Sequence, residues 1–137
     1  MKVSDYMSSA VVTANLGDGL RQTHLRMQEH SIRHMPVVDE HEALVGIVSD
    51  RDLRRPDTVD VGPHKVDAFR LDDAQHVDAV MTGCPDTVTP NTPLNVALGL
   101  FVKHGYGALP VVGRGRRPVA MLSVYDMLRA FQDSGTA

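Results

Sequence analysis

Ile32-Arg33-His34-Met35-Pro36-Val37-Val38 and Tyr106-Gly107-Ala108-Leu109-Pro110-Val111-Val112 are two versions of one segment, separated by 106 − 32 = 74 positions. In both, three variable residues lead into a run of hydrophobic-Pro-Val-Val. The same offset lays Gly46-Ile47-Val48-Ser49-Asp50-Arg51-Asp52-Leu53 on Ala120-Met121-Leu122-Ser123-Val124-Tyr125-Asp126-Met127, and carries Val3 to Val77 and Met7 to Met81. Between these anchors Val12-Thr13-Ala14-Asn15 matches Val88-Thr89-Pro90-Asn91 at 88 − 12 = 76. That match predicts a two-residue insertion near Cys84-Pro85, balanced by Leu16-Gly17 in the first copy. Self-similarity in a fixed order is the mark of a tandem duplication. The copies are read as residues 1–55 and 76–133, with a connecting segment 56–75 and a flexible tail 134–137.

Each copy predicts the same succession of elements. An opening turn with Met7 or Met81 precedes a β-like piece, Val11-Val12-Thr13 or Thr87-Val88-Thr89. A helix follows, with Asp18 or Thr92 as N-cap and Pro93 suited to the first helical position. Leu20, His24 and Met27, and Leu94, Leu98 and Phe101, recur at helical spacing and mark a buried face. Two apolar runs joined by Asp39–Ala43, or by Gly113–Arg117, read as adjacent strands. Ser49 and Ser123 then open a second helix. In the connection, Pro56, Gly62 and Pro63 break regular structure and Asp57, Asp60, Asp67, Asp72 and Asp73 keep it solvated, with a short helix near Val66–Phe69. A β-α-β-β-α order given twice is an α+β plan. Neither copy has enough core to stand alone, so the two pack together and leave related clefts between them.

Composition narrows the function. The 137 residues are 42% hydrophobic and 23% charged, which is ordinary for a globular chain. Lys+Arg number 14 against 17 Asp+Glu, a net charge of −3, which gives no broad electrostatic footprint for nucleic acid or an anionic membrane. No apolar run approaches the ~18 residues of a membrane span, and the first residues are too polar for a signal-peptide core. One cysteine, Cys84, forms neither an internal disulfide nor a multi-cysteine zinc site. The expected location is the cytoplasm.

The ordered pattern, given twice, of a Met-containing turn, a Val-Thr piece, a helix before a Pro-Val-Val run, and Gly-Ile-Val-Ser-x-x-Asp resembles a pair of cystathionine β-synthase (CBS) domains. The resemblance covers the chain apart from the connection and the last residues. It implies two copies about a pseudo-twofold axis, forming a regulatory module that dimerises and binds an adenosine-containing effector (AMP, ATP or S-adenosylmethionine) in its clefts, with no cofactor required. An adenosine ligand needs an apolar slot, an acceptor for ribose hydroxyls and donors for phosphate. Asp52 and Asp126 are candidate ribose acceptors, because a carboxylate accepts from two neighbouring hydroxyls. Ser49 and Ser123 stand at helix starts, which favour anions. Val12, Thr13, Met35 and Pro36 are expected to line the first base slot, and Val88, Thr89, Leu109 and Pro110 the second. Ser-x-x-Asp is equally a capping box, and the two roles coexist.

The copies differ in charge. Arg33, His34 and Arg51 of the first face Gly107, Ala108 and Tyr125 of the second, so the first cleft is expected to bind a phosphorylated ligand more tightly. Tyr125 either stacks on a base or fills its slot. Seven histidines offer no metal motif such as His-Glu-x-x-His, and the nucleophile and phosphate-loop motifs of enzymes are missing. The chain is therefore read as a non-catalytic homodimer that signals to an unidentified regulated protein in trans. The reading from a different class is a structural dimerisation module whose clefts hold no ligand.

Overall fold

The two apolar runs of each copy pair as expected. In the computed structural model, which describes residues 1–54, 57–61, 64–68 and 73–135, β2 (His34–Val38) lies antiparallel to β3 (Leu44–Ser49), with Met35 opposite Val48. Its counterpart joins β7 (Ala108–Val112) to β8 (Pro118–Ser123), with Leu109 opposite Leu122. Both hairpins slip register at the same place, between Val37 and Val38 and between Val111 and Val112. The duplication thus extends to a backbone irregularity.

A single offset of 74 aligns the backbone throughout, which corrects the expected insertion. β1 is Ala14–Asn15 and runs parallel to β2, with Ala14 opposite Val37; Val88 bridges Val111 in the same way. The strand-like pieces therefore lie later than Val11–Thr13 in the first copy, and Ala14 rather than Val12 corresponds to Val88. The helices agree, since α1 spans Leu20–His30 and α3 spans Leu94–His104. Their N-caps are Gly19 and Pro93, not Asp18 and Thr92, and Pro93 precedes the first helical residue. Asp18 and Thr92 instead close the turn before the helix, accepting from the Asn15 and Thr89 amides at 2.9 Å. The buried face of α3 is Leu94, Ala97 and Phe101, matched in α1 by Leu20, Thr23 and Met27; Leu98 is exposed and His24 half-buried.

The second helix of each copy starts at its serine. Ser49 accepts from the Asp52 amide at 3.1 Å and Asp52 accepts from the Ser49 amide at 2.9 Å; Ser123 and Asp126 repeat this at 3.1 and 2.8 Å. Such a reciprocal box satisfies two donors that a helix start leaves free. The helices that follow differ, α2 being one turn (Asp50–Leu53) and α4 ten residues (Val124–Asp133). In the connection, β4 (Asp57–Val61) and β5 (His64–Ala68) form an antiparallel hairpin. The expected short helix near Val66–Phe69 is therefore a strand as far as Ala68, and Phe69 lies outside the described residues. So do Pro56, Gly62, Pro63 and Asp72, and Thr136 and Ala137 of the tail.

The opening segments are exchanged between the copies. The 3-10 turn Val3–Asp5 packs on the second copy, where the Val3 amide donates to the Thr92 carbonyl and the Leu94 amide to the Met1 carbonyl, both at 2.9 Å. The matched turn Val77–Ala79 packs on the first copy, with Val77 donating to Asp18 at 2.9 Å and Leu20 to Gln75 at 3.0 Å. Ser8 bridges Met121 on one side, while β6 (Thr82–Gly83) pairs with β3 on the other, Thr82 opposite Ile47. Each core accordingly holds one valine from the other copy. Val3 lies with Leu94, Phe101, Leu109 and Leu122, and Val77 with Leu20, Met27, Met35 and Val48. Both valines are fully buried. Burying one removes about 1.5–3 kcal/mol worth of side chain from water, so the exchange binds the copies together.

Candidate functional site

Crossing the opening segments brings the N-terminal strand end of one copy over the helix start of the other, and a cavity forms between them. It measures about 580 Å³, within the range of about 300–1,000 Å³ usual for small-molecule sites. The first copy contributes Ala10, Val11, Val12 and Ile32, and the second contributes Met121. Together these give an aliphatic slot. Ser123, Tyr125 and Asp126 of the second copy also line the cavity, as do Arg33, His34, Gly107 and Ala108.

Asp126 is fixed before any ligand arrives. One carboxylate oxygen takes the Ser123 amide at 2.8 Å, and the other lies 3.3 Å from the Arg129 guanidinium. A carboxylate has about four acceptor positions, so capacity remains for hydroxyls. The side chain is largely buried, and capping and hydroxyl acceptance are compatible in this geometry.

A neighbouring cavity of about 430 Å³ is lined by Arg33, His34, Ser49, Asp50, Arg51, Arg54, Gly105 and Gly107. Arg33, His34 and Gly107 are therefore common to both cavities. This corrects the expectation that the cations of the first copy serve one cleft alone. Arg33 and His34 face the cavity that holds Tyr125 and Asp126, while Arg51 faces the other. Of the neutral residues matched to Arg33 and His34, Gly107 lines both cavities and Ala108 the larger alone.

His34 sits against Gly107, where a Cβ atom would come within 2.8 Å of the imidazole Nε2. Burial pushes its pKa below the ordinary value of 6.5, and the Arg33 charge lowers it further, while the Asp52 carboxylate opposes them. Asp52, half-buried, is thus close enough to His34 to influence it electrostatically. Its own role in the structure is the cap on Ser49.

The remaining sequence-derived candidates fall elsewhere. Met35, Pro36, Leu109 and Pro110 are fully buried, and Met35 and Leu109 belong to the two apolar cores. Val88 is core as well. The Thr13 carbonyl takes the Arg26 guanidinium at 3.0 Å, and Thr89 is occupied with Thr92. Ala10, Val11, Ile32 and Met121 were not among the sequence candidates. Val11 and Ile32 sit beside residues that were, and Met121 joins them through its bridge to Ser8. Among the described residues, no group of three or more His, Cys, Asp or Glu side chains converges as a metal site, and no helix is long and apolar enough to cross a membrane.

Comparison with known proteins gives one consistent result. The model of the CBS domain family matches residues 3–56 and 77–133. A CBS domain-containing protein of Dictyostelium discoideum is 30% identical over 130 residues, covering 92% of this chain and 88% of that protein. An arabinose 5-phosphate isomerase of Pseudomonas aeruginosa is 33% identical over 132 residues, 95% of this chain but only 38% of the isomerase. Among solved structures, a CBS domain pair in complex with 5′-methylthioadenosine and S-adenosyl-L-methionine superposes with a TM-score of 0.81 at 24% identity, covering 98% of each chain. CBSX2 in complex with AMP gives 0.77 at 23% identity, covering 97% of each. At these identities the likeness is one of fold.

Proposed function

The chain belongs to the CBS domain family, and on that footing we propose that it is a regulatory module which binds an adenosine-containing ligand between its two repeats and signals to a partner protein in trans. One observation carries this reading: the 580 Å³ cavity joins an aliphatic slot, the anchored carboxylate of Asp126, the Arg33 guanidinium and the His34 imidazole. Those three parts suit a base, a ribose and a phosphate or other anionic tail in that order. The neighbouring folds that carry AMP, 5′-methylthioadenosine and S-adenosylmethionine support the ligand class. The repeats are taken as 1–55 and 76–133, and the setting as the cytoplasm, in keeping with an exposed, unpaired Cys84. The enzymes that resemble the chain do so over a minor part of their length, as in the isomerase, which supports a role without catalysis. Calorimetric titration with adenosine, AMP, ATP and S-adenosylmethionine tests the proposal: at least one binds, and Asp126→Ala weakens it tenfold or more. Silence from all four compounds removes it.

A second observation favours the homodimer and keeps the structural reading alive. Leu98 and Val102 on α3 and Tyr125, Leu128 and Phe131 on α4 are exposed, between 47% and 78%. Leu98, Leu128 and Phe131 line an apolar recess of about 410 Å³ with Met1 and Met127. Contiguous apolar surface of this kind marks a contact site, and its self-complementary use builds a twofold dimer. A dimer that forms equally with and without adenosyl compounds, none of which bind, identifies the module as purely structural.

A further inference from the structure

The two cavities meet at one rim, and their walls differ in chemistry. The larger is aliphatic and closed by a carboxylate, whereas the smaller carries Arg33, Arg51 and Arg54 against the single acid Asp50. Arg54 is committed to Asp50 at 2.8 Å, and Asp50 also takes the His24 imidazole at 3.2 Å. Among the described residues, neither Arg33 nor Arg51 has a carboxylate within ion-pair distance. Two guanidinium groups are thus left without acidic partners on the walls of one cavity and its rim.

The smaller cavity also lacks the slot that its pseudo-twofold mate possesses. The aliphatic Val12 and Ile32 of the larger cavity correspond at the 74 offset to Asp86 and Tyr106. Those two are bound to each other, the Tyr106 hydroxyl donating to Asp86, with the His104 ring stacked 5.0 Å from that of Tyr106 and its Nε2 3.7 Å from the same carboxylate oxygen. None of the three lines the smaller cavity. Its walls suit phosphate and offer no aliphatic slot for a base. Gly107 lets His34 pack closely at the boundary that the cavities share, since a side chain there would strike the imidazole. Its match in the first copy is Arg33.

We infer that the two cavities are one site for a nucleoside polyphosphate, with a single ligand per chain. The nucleoside lies in the larger cavity with its sugar on Asp126. The phosphate chain passes Arg33 and His34 at the rim, and its terminal phosphate reaches Arg51 in the smaller cavity. The inference rests on the nucleoside reading above and deepens it. It makes ligand selection a measurement of phosphate number: all three arginines come from the first repeat, and the matched positions of the second hold Gly107, Tyr125 and Leu128.

Calorimetry with adenosine, AMP, ADP and ATP, at low salt and free of divalent cations, tests it on the intact chain. Affinity is expected to climb along the series, with ATP at least about tenfold tighter than AMP, the size of one charge-assisted contact. The stoichiometry is expected to be one per chain, with the climb flattening as salt rises. Arg51→Ala, at an exposed position, costs ATP far more than AMP, so the ratio falls to about threefold or less. Arg51→Lys retains a shallower climb, because it keeps the charge without the bidentate fork. Two equivalent AMP molecules per chain, equal affinity for AMP and ATP, or a climb that survives Arg51→Ala each overturn the shared site while leaving the nucleoside cavity standing. Failure of adenosine and every nucleotide to bind overturns both readings together.

Discussion

The two repeats share a backbone and divide the surface. Hydrogen bonds recur in pairs at the 74 offset, such as Asp50 to the Arg33 carbonyl at 2.8 Å and Val124 to the Gly107 carbonyl at 3.1 Å. What the helices show to solvent does not recur. On α1 the outward residues are chiefly Arg21, Gln22, Gln28 and Glu29, with Leu25 alone among them, whereas α3 presents Val96, Leu98 and Val102. After the capping box the first repeat has one helical turn and then a hairpin. The second has the ten-residue α4, with Tyr125, Leu128 and Phe131 outward. The first repeat therefore supplies charge to the clefts, and the second supplies an apolar face. Duplication fixes main-chain pairing, which depends on geometry common to most side chains, and leaves outward positions free to specialise.

The sharpest way to break this comparison is at the apolar face. If the proposed dimer forms through this face, Leu128→Asp combined with Phe131→Asp should convert it to monomer in sedimentation, because two charges cannot be buried unpaired. Leu25→Asp, on the polar helix of the first repeat, should leave the mass unchanged. Equal disruption by both would mean that the repeats share the contact.

Next in size is the pair of matched carboxylates. Asp126→Ala should cost about 1.5–3 kcal/mol of adenosine affinity, as loss of bonds to a charged group does. Asp52→Ala should change it less than threefold, since Asp126 alone lines the larger cavity. Both variants should lose similar stability, about 0.5–2 kcal/mol, because both remove a cap. Loss of adenosine binding in Asp52→Ala alone would reverse the assignment of the two repeats.

The exchanged valines test the shared backbone. Val3→Ala and Val77→Ala should each destabilise the chain by about 1–3 kcal/mol. Each should loosen amide protection in the repeat it packs on, Val3→Ala around β8 and Val77→Ala around β3. Protection lost within the mutated copy instead would contradict the exchange.

The smallest effect is a pH dependence. Because His34 is held below 6.5 in the folded chain, the unfolded chain binds the proton first as pH falls. His34 therefore contributes stability that is present above 6.5 and is lost as pH drops from there toward its folded pKa. Melting temperature between pH 7 and 5.5 should fall less steeply in His34→Gln than in the unaltered chain. Identical slopes would place the ring in a more open position.

The sequence made the hairpins and the capping boxes legible, because hydrophobic-Pro-Val-Val and Ser-x-x-Asp state their local geometry directly. It misled at Val12-Thr13 and Val88-Thr89, where four similar letters outweighed the true register. Ala14 takes the place of Val88, and its pairing with Val37, against Val88 with Val111, reveals the equivalence. Asp52 and Asp126 were legible as candidates. Their division of labour was not, since walls and carboxylate come from opposite repeats and no local pattern encodes that crossing. The pairing of β4 with β5 was obscured by their aspartates, which are poor strand formers.

The crossing of the opening segments also sets the order in which the chain must fold. Val3 finds its place only when Leu94 to Leu122 are present, and the first repeat is sealed only by Val77. Contacts that distant in sequence close long loops before they return any stabilisation, which slows folding relative to a chain of local contacts. During synthesis the first repeat would leave the ribosome with an open edge at Gly46 and Ile47, the residues later covered by Gly83 and Thr82. A chain interrupted between the repeats would keep that edge unpaired and the opening valine in water, so two half-chains would have to meet before either could settle.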